Sequence, residues 1–117
     1  MTKNYFSKKE LECSCCHKCT IDEEFLEKLN KAREIANIPF VVTSGYRCEK
    51  HNKEVYGVNE SEHVSGKGVD IRVKNGNQRF LIVTSALKVG FNRIGVAKNF
   101  VHIGFSKELP QNVIWTY

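Results

Sequence analysis

The chain has 117 residues, 41% of them hydrophobic, with two Pro and eight Gly, which excludes a disordered or collagen-like chain and fits one domain. No apolar run approaches the roughly 20 residues that a membrane-spanning helix needs. The formal net charge of +5 suits an anionic partner, but the basic residues are scattered and read as a solvated basic surface.

Residues 1–20 form a polar, Cys-rich arm. Met1 to Phe6 carries charge without an apolar segment, so no Sec signal is seen and synthesis in a cytoplasm is expected. Thr20 and Glu23 have capping-box spacing and predict a helix start with Thr20 as its cap. Phe25, Leu29, Ala32 and Ala36 follow at steps of four, three and four, which puts them on one helix face. Asp22, Glu23 and Glu24 suit the positive N-terminal end of that helix, and Asn37 and Pro39 end it. Phe40 to Thr43 reads as a short buried strand, broken by Ser44-Gly45. His51 to Val55 reads as a helical turn and Gly57 to Gly68 as a polar loop. Val69 to Val73 is a strand candidate, followed by the turn signal Asn75-Gly76. Asn77 is the expected cap of a second helix running to about Val89, with Phe80, Val83 and Leu87 on one face and Gly90 behind it. Arg93 to Val96, Val101 to Phe105 and Val113 to Trp115 are further predicted strands. This order predicts a single α+β domain over residues 1–117, with a mostly antiparallel sheet and flanking helices.

His63 and Asp70 lie seven residues apart, with Gly66 and Gly68 between them to allow a tight loop. Asp70 sits inside an apolar strand, where a carboxylate is costly without a metal or a partner. His102 sits between Val101 and Ile103 in a similar run. Residue types alone leave two readings open. Two His and one Asp can fill three positions around Zn²⁺ and leave a fourth for water. Equally, His102 can be a hydrogen-bonded core histidine and Asp70 a turn or ion-pair residue.

The wider pattern narrows this choice. Ser61-x-His63-x-x-Gly66-x-Gly68-x-Asp70 is preceded by Thr43-Ser44-Gly45-Tyr46-Arg47 and followed by Phe100-Val101-His102. It resembles the zinc D-Ala-D-Ala carboxypeptidase family, which includes small phage and prophage peptidoglycan peptidases and shares the Hedgehog/DD-peptidase fold. Gly68 stands where the family signature has Ala. The opening Phe6-Ser7, Glu10-Leu11 and Cys13 extend the likeness over most of the chain. The resemblance implies Zn²⁺ held by His63, Asp70 and His102. It implies that Arg47 binds the substrate carbonyl and steadies the oxyanion, and that Ser61 supports the substrate or the ligand loop. It also implies a peptidoglycan peptide as substrate, as a D-Ala-D-Ala carboxypeptidase or a wall endopeptidase, a monomer, and phage-type release or virion association.

The chain departs from the family at the general base. Many members carry Glu or Asp three residues before the last His, where this chain has Asn99, and some carry Asp two residues after it, where this chain has Gly104. Base catalysis contributes roughly 10²–10⁴-fold. Glu62, His51 and Glu108 are the substitutes within the chain. The rival reading is therefore a zinc-site module that binds wall peptide or a protein partner without turnover. Nucleic acid is not an expected partner, because there is neither a basic helix nor an aromatic RNA-binding motif. Cys13, Cys15, Cys16 and Cys19, with His17 among them, and Cys48 after Arg47 suggest a second, structural metal. Disulfides with one Cys left over, or reduced thiols, are the alternatives. Any tie between this cluster and Cys48 closes a loop of ~35 residues, worth on the order of 3–4 kcal/mol in the chain-entropy model.

Overall fold

A computed structural model describes residues 4–13, 19, 21–47 and 62–117. The expectations for Thr20 and for a helical turn at His51 to Val55 lie outside the described residues. At the N-terminal end, the Ser7 hydroxyl accepts the Glu10 N–H at 3.2 Å, and the Glu10 carboxylate accepts the Ser7 N–H at 3.1 Å. This reciprocal cap starts the one-turn helix α1 (Lys8–Leu11). Phe6, Leu11 and Cys13 are buried, and Phe6 and Leu11 pack into the core.

Helix α2 (Glu23–Ala36) begins later than its capping-box spacing predicted. The cap is Asp22, whose Oδ2 accepts the Phe25 N–H at 2.9 Å. A carboxylate there satisfies an orphan donor and also suits the helix dipole. The expected stripe holds: Phe25, Leu29, Ala32 and Ala36 are all buried. Asn37 ends the helix in the left-handed region with φ +56°, a conformation Asn tolerates better than most residues.

Next come β1 (Val42–Ser44), the helical turn α3 (Glu62–Ser65), β2 (Gly68–Arg72), α4 (Gly76–Lys88), β3 (Arg93–Val96), β4 (Phe100–Gly104) and β5 (Val113–Thr116). β1 starts two residues later than expected, although Phe40 is still buried in the core. Helix α4 corrects two sequence expectations. Its cap is Asn75, whose Oδ1 accepts the Gln78 N–H at 2.9 Å; Asn77 lies inside the helix. The stripe of Phe80, Val83 and Leu87 is not the buried face, since Phe80 is 64% and Leu87 45% exposed. Ile82, Ser85 and Ala86 face inward instead. Apolar residues lie on two sides of this helix, and the side with small Ser85 and Ala86 is the one that packs against α2 and the sheet.

The described strands form one sheet in the order β1-β2-β4-β3-β5. Every pair is antiparallel except β3–β5, so the sheet is mostly antiparallel, as expected. Alternation along the strands gives the sheet two different faces. Val69, Ile71, Ile94, Val101 and Ile103 point into the core shared with α2 and α4. Burying each such side chain contributes roughly 1.5–3 kcal/mol. Asp70, Gly95, His102 and Trp115 fall on the other face. Among the described residues, no helix is long and apolar enough to cross a membrane.

Candidate metal centre

Asp70 and His102 are direct cross-strand partners in the β2–β4 ladder. Adjacency on the non-core face follows from that register alone. His63 stands on α3, and the tight turn through Gly66 (φ +74°) leads from it into β2. The three side chains meet at one oxygen. Asp70 Oδ1 lies 2.9 Å from His102 Nδ1 and 3.3 Å from His63 Nε2. The imidazole rings are 5.1 Å apart, and both histidines are buried.

This donor set fits a metal ion. His63 Nδ1 lies 2.7 Å from the Gly45 carbonyl oxygen. A carbonyl only accepts, so the proton of the ring is on Nδ1. Where the ring is neutral, its Nε2 lone pair faces a carboxylate oxygen, an arrangement that a cation between the two relieves; where it is charged, Nε2–H donates to that oxygen. Ligands held at 2.0–2.1 Å around a tetrahedral ion lie about 3.3 Å from one another; the His63–Asp70 separation matches this at 3.3 Å and the His102–Asp70 one is shorter at 2.9 Å. All three donor atoms lie within 4.8 Å of one another. Burial pushes the Asp70 carboxyl up, but hydrogen bonds and charge from His102 and His63 outweigh it and hold the group well below the usual carboxylate range.

Arg47 joins the same neighbourhood through its backbone. Its N–H donates to the His63 carbonyl at 3.0 Å, and the adjacent Tyr46 N–H donates to the Leu11 carbonyl at 2.8 Å. Burial lowers the Arg47 pKa, while the fields of Asp70, Tyr117 and Cys13 favour its charge. The guanidinium thus sits where the Asp70 charge is felt. The Trp115 ring is 5.6 Å from the His102 ring, and the Phe100 and Tyr117 rings lie 4.9 Å apart, tilted by 57°. Trp115 can lie there because its neighbour is Gly95, where a Cβ would come within 2.7 Å of the indole. The Arg93 guanidinium caps that ring at 5.0 Å and donates to the Pro110 carbonyl at 2.6 Å.

The sequence pattern points to His63, Asp70, His102 and Arg47; in it Trp115 is only the end of a strand, and nothing marks Tyr117. The signal for them is the parallel register Gly95↔Trp115, and no spacing rule along the chain reveals that.

The residues considered for a base do not join the cluster in the same way. Asn99 is exposed in the β3–β4 turn, where its carbonyl accepts the Val73 N–H at 2.8 Å. Glu108 is exposed in the β4–β5 connection. Gly104 lies on β4 two residues after His102, hence on the same strand face, between Gly68 and Arg93. His51 lies outside the described residues, and so do Ser61, Cys15, Cys16 and Cys48; for Glu62 only the backbone is described. Cys13 is buried close enough to Arg47 to favour its charge, and Cys19 packs against the core.

A family model described as peptidase M15 matches residues 4–104. That span covers most of the chain, including all three donors and Arg47, and the chain belongs to the M15 peptidase family. No curated protein matches it.

Proposed function

From that membership as premise, we propose that the protein is a Zn²⁺-dependent peptidase that hydrolyses a peptide bond in peptidoglycan, as a D-Ala-D-Ala carboxypeptidase or a wall endopeptidase. The observation that carries the reading is the convergence of His63 Nε2 and His102 Nδ1 on Asp70 Oδ1. Three N/O donors with a fourth position open are the ligand set of a catalytic zinc site. When bound, Zn²⁺ supplies a Lewis acid for the scissile carbonyl and lowers the pKa of water toward ~7.

The chain's own residues do the rest. His63 and His102 are buried, and electrostatic stabilisation is strongest in such surroundings. Arg47 faces the oxygen that gains negative charge as water adds to the carbonyl carbon. The Arg47 backbone is tied to the His63 carbonyl, and the half-buried guanidinium it carries stabilises that charge as it develops. The C–N bond then breaks, and the amine leaves with a proton released by the added water. The net positive charge of the chain favours encounter with an anionic wall.

The test is release of free amino groups from purified peptidoglycan of several wall chemotypes, with chelation and zinc readdition. Zinc-dependent release supports the peptidase. A second reading has its own observation: neither Asn99 nor Gly104 supplies a carboxylate. On that reading the chain is a zinc-site module that binds wall peptide without cleaving it. Wall binding with no zinc-dependent release, in wild type and in a variant with a restored carboxylate, would favour it.

A further inference from the structure

We infer that Gly45 is a positioning residue through which the N-terminal arm sets the imidazole of His63 for metal binding; this rests on the metal-site reading above. Three contacts form an unbroken chain. The Tyr46 N–H is tied to the Leu11 carbonyl at 2.8 Å. Gly45 itself lies against the Leu11 backbone, so closely that a Cβ would stand 2.6 Å from the Leu11 oxygen and 2.9 Å from its Cα. The Gly45 carbonyl then accepts the His63 Nδ1–H at 2.7 Å. A fourth contact closes the loop, from the Arg47 N–H to the His63 carbonyl at 3.0 Å.

Space is what requires glycine here. The Gly45 φ is not in the left-handed region, so any residue could adopt its backbone. The obstacle to a side chain is the Leu11 backbone, which cannot swing away as a long side chain can. The chemical consequence lies at His63. A hydrogen bond at one ring nitrogen decides which nitrogen is left for a metal, and it fixes the ring orientation. With Nδ1 bonded to Gly45, Nε2 is the nitrogen facing Asp70. The arm is buried at Leu11 and Cys13 and thereby holds the carbonyl that makes this choice.

The experiment uses the full chain and zinc alone as the ligand. Long-range ¹⁵N–¹H spectra of the metal-free wild type should show His63 protonated on Nδ1, with that proton slow to exchange. Gly45→Ala should bind Zn²⁺ roughly 10–100-fold more weakly, the usual loss for an outer-shell partner, and its Nδ1 proton should exchange faster. Asn75→Ala, which removes the side-chain cap of α4 and no contact of the site, should lower stability while leaving zinc affinity at the wild-type value. That control separates positioning from general destabilisation. Two results would overturn the inference: an Nε2-protonated His63 in the wild type, or a folded Gly45→Ala with wild-type zinc affinity. Should Gly45→Ala not fold, the wild-type tautomer decides. If the wild type binds no zinc, the metal-site reading fails, while the tautomer still tests the role of Gly45.

Discussion

At the scale of single residues, the site is a set of short distances with unequal consequences. His63→Ala or His102→Ala should each remove about one equivalent of tightly bound zinc, measured by metal analysis after mild chelation. Retention of wild-type content in both variants would contradict the ligand assignment. Arg47→Ala should retain zinc and lower turnover by roughly 10²-fold, the typical loss of one oxyanion donor. Trp115 is the chain's one tryptophan, so the intrinsic tryptophan signal belongs to it alone. Its ring is 5.6 Å from His102, and a zinc titration should therefore change its emission. An emission spectrum indifferent to zinc would contradict the placement of the metal beside His102. Residue types left the donors one of two readings, and the wider motif with the family resemblance it carries singled them out. Gly45 was legible only as part of a motif. Its reason is a contact with Leu11, distant along the chain, and no local pattern carries that.

At the scale of elements, the outcome depended on whether a signal had a competitor. The α2 stripe had none, and every residue of it is buried. Its start shifted because two capping residues stand close together, and Asp22 is the one whose carboxylate reaches the Phe25 N–H. Asp22→Ala should cost about 1 kcal/mol in urea unfolding. The α4 stripe had a competitor. Phe80, Val83 and Leu87 obey helical spacing as well as Ile82, Ser85 and Ala86 do, and packing against α2 favoured the smaller residues. The short strands were found within one or two residues because each is a brief β-branched run. Their order was not readable, since β5 crosses over to pair in parallel with β3. Strand β4 also bears on the missing base. Position 104 shares a face with His102, whereas Asn99 is in the exposed turn beyond the strand. Gly104→Asp should therefore raise turnover more than Asn99→Glu does, toward the roughly 10²–10⁴-fold that a general base contributes. Equal, negligible rates in both variants would place the base elsewhere in the chain.

At the scale of the whole molecule, the metal site couples to stability. An ion that binds only the folded chain stabilises it by about 2.7 kcal/mol at a hundredfold excess over Kd, so chelation should lower the thermal midpoint. In metal-free protein the Asp70 carboxyl has a folded pKa below its unfolded value near 3.9. Its contribution is present above that pH and is lost progressively as pH falls below it, because the unfolded chain then binds more protons. Asp70→Asn should flatten this acid limb of the stability curve, followed by denaturant melts at successive pH values in chelator. The central claim is that zinc is held by His63, Asp70 and His102. Cys13, Cys15, Cys16 and Cys19 are a second set of residues of a type that can ligate metal. Diffraction at the zinc absorption edge, on crystals of the zinc-loaded protein, separates the two directly. The account requires an anomalous peak between His63 Nε2, Asp70 Oδ1 and His102 Nδ1; zinc found only among the cysteines, with that position empty, would contradict it.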